Sequence, residues 1–194
     1  AVNETLYSKK QYSALKDLAP ISRLGETPCA IVVSNALPAK TMQELIALAK
    51  KQPGKFNASS AGIGSAAHLA LALLAHSAGL QFNHVPFKGG GPSMIAVVAG
   101  EVDLSIPAYP TAVPHIKAGK LRIVAVTGAT REATAPNVPT VAEAGVPGYE
   151  FTIWFAMFAP RATPKPIVTL LNKELVEALA EPEMRDKLAR TGVN

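Results

Sequence analysis

Phe56-Asn57-Ala58-Ser59-Ser60-Ala61-Gly62-Ile63-Gly64-Ser65-Ala66-Ala67-His68 reads as a short strand, a loop of small residues and the start of a helix. Such a loop leaves backbone N–H groups bare at a helix start, where the positive end of the helix dipole favours an anion. Ser59, Ser60 and Ser65 offer hydroxyls, Gly62 and Gly64 permit close approach of the backbone, and Ser65 suits the N-cap. A second segment of similar design follows, Val85-Pro86-Phe87-Lys88-Gly89-Gly90-Gly91-Pro92. Lys88 with Gly89, Gly90 and Gly91 ahead of a helix makes another cluster of donors. Two such loops in one sheet predict a site that grips a small carboxylate, with Ala61 and the glycines contributing amides. For either loop alone, a tight turn is the competing reading.

The pattern around these loops alternates strand and helix. Strands are expected over residues 30–33, 55–59, 82–86, 102–106 and 121–127. Helices are expected over 41–51, 65–78, 92–99 and 109–118. Thr41 with Glu44 forms a capping box, Gly79 and Gly100 suit helix ends, and Pro92 suits a helix start. The alternation predicts an α/β fold with a mainly parallel sheet between helices, its loops gathered at the carboxyl edge. After Thr127 the proline-rich stretch 135–140 suits a crossing segment, residues 149–159 a buried strand, and Thr163-Pro164 the cap of a helix reaching residue 180. Pro182 opens a short further helix, and residues 1–28 read as polar and irregular.

Composition narrows the function classes. Of 194 residues, 48% are hydrophobic and 17% charged, which is globular and suits one large domain or two small lobes. The net charge of +5 is scattered as Lys and Arg residues, singly or at most in pairs, without the basic block that nucleic-acid binding needs. One cysteine, Cys29, allows no internal disulfide and reads as a buried small hydrophobe. No apolar run is long enough for a transmembrane helix, and no signal peptide is visible at Ala1.

Other chemistries turn on particular residues. Gly62-Ile63-Gly64-Ser65-Ala66-Ala67 matches the dinucleotide fingerprint G-x-G-x-x-A, the basis of an alternative oxidoreductase reading. The next strand, Phe82-Asn83-His84-Val85-Pro86, lacks the acid that would hold the ribose. His68 and His76 stand two turns apart, too far to chelate one metal, and His84 and His115 read as isolated. His68, one turn beyond Ser65, is expected to face the cradle. Ser59 and Ser60 lack a nucleophile elbow. Asp103 is expected near the carboxyl edge, with a hydrogen bond to a loop amide as its structural alternative. Trp154-Phe155 suits either an apolar wall or core. No cofactor or metal is expected.

Six segments taken in order carry a family resemblance: Leu37-Pro38-Ala39-Lys40-Thr41, Ala61-Gly62-Ile63-Gly64-Ser65, His84-Val85-Pro86-Phe87-Lys88-Gly89, Gly100-Glu101-Val102-Asp103-Leu104, residues 114–122 and residues 138–145. The chain resembles the Bug receptors, the substrate-binding proteins of tripartite tricarboxylate transporters. The resemblance implies a non-catalytic periplasmic protein of the type II binding-protein class. Two α/β lobes joined by crossing strands would close on a small carboxylate or related solute and deliver it to membrane subunits. Its ligand loops fall on Ser59 to Ser65 and Lys88 to Gly91. A ligand-sensing domain is a further use of the same fold. The family's N-terminal strand with its Pro/Gly-rich loop and its C-terminal helix have no counterpart here. The expectation is therefore a fragment, with a complete lobe over 30–125 and remnants of the other over 1–29 and 126–194. An incomplete cleft implies weak binding, and exposed sheet edges imply dimerisation or chain exchange.

Overall fold

The computed structural model describes residues 3–9, 12–190 and 192–193. In chain order the elements are α1 (Asn3–Leu6), α2 (Ala14–Asp17), β1 (Leu18–Pro28), β2 (Ala30–Ser34), α3 (Met42–Lys51), β3 (Asn57–Ser60) and α4 (Ala66–Ala78). They continue with β4 (Asn83–Pro86), α5 (Gly90–Ala99), β5 (Leu104–Ser105), α6 (Tyr109–Lys117), β6 (Leu121–Val126), β7 (Thr152–Pro160), α7 (Lys165–Ala180) and α8 (Pro182–Arg190). Two compact units divide the chain, one over Pro28–Ile153 and the other over residues 1–27 with 154–194.

The unit Pro28–Ile153 is built on a five-stranded sheet ordered β4-β3-β5-β2-β6. Strand β3 runs parallel to β4 and β5, and β2 runs antiparallel to β5 and β6. Four strands therefore point one way and β2 alone is reversed, so the mainly parallel expectation becomes a mixed sheet. All five residues of β2 are buried because helices cover both faces. Ile31 and Val33 face a core with Met42 and Leu45 of α3, Leu71 and Leu74 of α4, and Val141. Ala30 and Val32 face a second core with Met94 and Val97 of α5 and Tyr109 and Ala112 of α6.

Local chemistry sets the helix ends. Thr41 accepts from the Glu44 amide while Glu44 accepts from the Thr41 amide, closing the capping box. Helix α4 stops at Gly79, whose φ of 64° is the left-handed conformation glycine adopts freely. Helix α5 begins at Gly90, two residues before the expected Pro92, with Gly89 as its N-cap.

The other unit departs further from expectation. Within residues 1–28, read as irregular, residues 18–28 form the eleven-residue strand β1, paired with β7 in a two-stranded sheet; residues 1, 2, 10 and 11 lie outside the described residues. Pro20 and Pro28 mask the strand signal, yet an edge strand tolerates proline. Strand β7, expected to be buried, exposes Trp154 (54%), Phe155, Met157 and Phe158. An apolar run reports what a segment can bury, not what lies against it. Helix α7 starts at Lys165 with Pro164 at the N-cap position and no side-chain cap, so Thr163 does not cap it as expected.

Candidate functional site

Because β3, β4, β5 and β6 share a direction, the loops that follow them leave from one edge of the sheet. The first three lead into α4, α5 and α6. All three helix starts line a single cavity of about 140 Å³, through Ser65, Ala66 and Ala67 of the first, Gly90 and Ser93 of the second, and Ala108 and Thr111 of the third. The loops are tied to one another: the Phe87 amide donates to Ser60 O at 2.9 Å and the Gly89 amide to Ala61 O at 3.2 Å. Gly62 (φ 129°) and Gly64 (φ 77°) take backbone conformations that a side chain disfavours. Among the described residues, the amides of Ala66, Ala67 and Gly90 have no partner, whereas the Cys29–Ala108 bridge engages the start of α6. Each helix start carries partial positive charge, and three such ends at one cavity add in sign.

The residues singled out from sequence divide into two groups. Ala61, Ser65 and Gly90 line the cavity. Gly62 and Gly64 shape the first loop, Gly89 caps α5, Gly91 lies in its first turn, and Lys88 is exposed in the second loop. Ser65 is the N-cap of α4, accepting from the His68 amide at 3.4 Å.

The second group serves the fold. Ser59 is buried, and its hydroxyl accepts from Ser93 Oγ at 2.8 Å. Ser60 is 0% exposed, its hydroxyl held between Gly62 and His84. Asp103 does not sit at the carboxyl edge as expected: it precedes β5 at the opposite edge, where its carboxylate accepts from the Asn57 amide at 2.7 Å. The short β5, only two residues long, explains the misplacement.

His84 is not isolated. Its ring stacks on that of His68 with centroids 4.1 Å apart and planes 11° from parallel. The His84 Nε2 lies 2.7 Å from Ser60 Oγ, and His68 Nδ1 accepts from the Gly64 amide at 3.1 Å. The pair thus grips the first loop from behind. Burial, and then the neighbouring His68, hold the His84 pKa below its ordinary value. Burial pushes the Cys29 thiol up to about 12, so it stays protonated and inert.

Sequence reasoning missed the third loop. Pro107 and Ala108 follow β5 and bring α6 to the cavity, with Ser105 and Thr111 beside them. The signal was present: a strand ending at Ile106 and Pro110 in the first turn of a helix follow the same strand–loop–helix order.

Several comparisons bear on this geometry. The family model described as "Tripartite tricarboxylate transporter family receptor" matches residues 1–194. A protein encoded in the tcbD-tcbE intergenic region of Pseudomonas sp. (strain P51) is 35% identical over 99% of this chain and 57% of its own length. Protein BugT of Bordetella pertussis is 34% identical over 99% of this chain and 59% of its own. The chain therefore spans just over half the length of these curated relatives. Among solved structures, Rpa4515 of R. palustris with adipate superposes with a TM-score of 0.93 at 34% identity, covering 99% of this chain and 64% of that one. MatC from Rhodopseudomonas palustris with bound malate gives 0.87 at 32%, covering 99% and 65%. The periplasmic binding protein BugD gives 0.88 at 32%, covering 100% and 64%. With the family model matched from end to end, the chain belongs to the tripartite tricarboxylate transporter receptor family.

Proposed function

We propose that this chain is the anion-gripping part of a solute-binding receptor that captures a small carboxylate, without catalysis, for delivery to the membrane subunits of a transporter. The observation that carries the reading is the convergence of three helix starts on one cavity, with free amides at the starts of α4 and α5. A volume of about 140 Å³ lies below the roughly 300–1,000 Å³ of drug-sized sites and suits one carboxylate end rather than a dinucleotide. Ala61, Ser65, Gly90 and Gly91 are the proposed contacts, joined by Ala66, Ala67 and Thr111; Gly62, Gly64 and Gly89 shape the loops, and Lys88 adds charge at their rim. The relatives with bound adipate and malate, and the periplasmic BugD, support this substrate class and a periplasmic location.

The magnitudes are consistent with several helix ends acting together. Micromolar affinity corresponds to about 8 kcal/mol, and a hydrogen bond to a charged group nets about 1.5–3 kcal/mol. One helix end with two free amides falls short of that, before the costs of association. Four or five bonds, from the amides of Ala66, Ala67 and Gly90 with the Ser65 and Thr111 hydroxyls, reach it. Titration calorimetry of the 194-residue chain with adipate, malate and uncharged 1,6-hexanediol tests the reading. Binding of a carboxylate but not of the diol is expected; equal heats, or none with any acid, would contradict it.

A further inference from the structure

We propose that His68 and His84 are positioning residues for the anion loop, holding residues 61–65 in the binding geometry only while His68 Nδ1 is unprotonated. The inference rests on the carboxylate-receptor reading for its effect on affinity, but its structural core stands on the loop alone. Gly64 donates its amide to His68 Nδ1 at 3.1 Å, so that nitrogen must offer a lone pair and its proton resides on Nε2. On the other side of the loop, the Gly62 amide donates to Ser60 Oγ at 3.1 Å, and that oxygen lies 2.7 Å from His84 Nε2. Where the Ser60 hydroxyl donates to Gly62 O, His84 Nε2–H is the donor to Ser60. Both glycines of the loop are thus held by one imidazole or the other, directly or through a hydroxyl. The stacked rings, 4.1 Å apart, make the two grips a single unit.

Protonating His68 at Nδ1 turns an acceptor into a donor facing another donor, the Gly64 N–H. That contact must open, and Ser65 with the α4 amides moves with the loop. It also places a cation at the start of α4, where the dipole is unfavourable to it, and against the face of His84. The surroundings offer no compensating negative charge. Strand β3 and helix α5 carry no titratable side chain, β4 carries only His84, and α4 carries only His68 and the exposed His76. Lys88 in the second loop is exposed, and among the described residues Asp103 spends its carboxylate on Asn57 at the other edge. Neither ring has an ion-pair partner among the described residues. The lowered pKa of His84 agrees with a pair built to be neutral.

Two variants separate positioning from mere packing. His68→Asn puts an amide oxygen near the place of Nδ1 and takes up no proton; His68→Leu removes the acceptor. The first readout is the Gly64 amide resonance in the ligand-free 194-residue chain at pH 8 and pH 6. It should move with pH in the wild type, stay at its bonded position in His68→Asn, and sit at an unbonded position at both pH values in His68→Leu. The second readout is adipate affinity. Between pH 8 and 6 the wild type should lose about twofold to fourfold relative to His68→Asn, a ratio in which the titration of adipate itself cancels. His68→Leu should be about tenfold weaker than His68→Asn at both. A Gly64 resonance indifferent to pH and to His68→Leu would overturn the proposal, whatever binds. So would His68→Asn failing to rescue affinity while His68→Leu binds normally. A Gly64 amide that responds as stated in a wild type that binds no carboxylate would sink the receptor reading and leave the loop-positioning role standing.

Discussion

Replacing Asp103 by alanine should cost stability and spare ligand binding. Its carboxylate accepts from the Asn57 amide at 2.7 Å, where β3 begins. The same residue ties β2 to β3 through its backbone, accepting from Ser34 at 2.8 Å and donating to Asn57 O at 2.9 Å. Those backbone bonds survive the substitution, so the loss is one charge-assisted bond and an orphaned amide. Such a bond nets about 1.5–3 kcal/mol; both residues are half-buried, which places the expected loss at about 1–2 kcal/mol. For a chain of this size each kcal/mol shifts the melting temperature by about 2–4 °C, so a fall of roughly 2–8 °C is expected by scanning calorimetry. Asp103→Asn keeps an acceptor oxygen and should lose about half as much. Adipate affinity should be unchanged in both, since the three helix starts lie at the opposite edge of the sheet. An unaltered melting temperature would refute the clamp. A more than threefold drop in affinity at unaltered stability would instead place Asp103 in the site.

Four further outcomes are expected. Gly62→Ala forces a side chain into φ near 129° with its Cβ 3.4 Å from Phe87 O, so it should lose about 1–3 kcal/mol in urea denaturation and weaken adipate binding with it. Leu74→Ala, at a fully buried position between α4 and the sheet, should cost about 2–5 kcal/mol and show that the shared core holds α4 in place. The folded-state pKa of His84 lies below its unfolded value, so the unfolded chain binds more protons as pH falls. Its contribution to stability is complete above about pH 6.5 and is lost below it, so stability should drop from pH 7.5 to pH 5.5, and less steeply in His84→Phe. Trp154, the single tryptophan and 54% exposed, should emit at wavelengths typical of a water-exposed indole and be quenched readily by iodide; a blue-shifted, protected emission would show that the face of β7 is covered in solution.

Legibility from sequence followed how local the determining physics is. The Thr41–Glu44 box, the Ser65 cap and the Gly79 stop are short-range signals, and each appears where its residues place it. The two glycine loops were legible for the same reason. That they meet was an inference from βα alternation, and the bond from Gly89 to Ala61 O realises it. What was hidden depends on partners far along the chain. The reversal of β2 is set by its neighbours β5 and β6, and nothing in Ala30–Ser34 encodes direction. Ser59 and Ser60 looked like ligand groups because hydroxyls are alike in sequence. Their occupation by Ser93 and His84, 34 and 24 residues away, appears only on folding. His84 looked isolated because its stacking partner lies on another element. The third helix start went unassigned because Ala108 carries no polar side chain, and a site built of amides leaves little trace in residue type.

Titration of the ¹⁵N-labelled chain with adipate, followed amide by amide, addresses the central assignment most directly. Ala66, Ala67, Gly90 and Thr111 should shift together along one saturation curve with a common Kd, while Asn57 at the opposite edge stays still. Shifts confined to one helix start, or largest outside the loops after β3, β4 and β5, would contradict it.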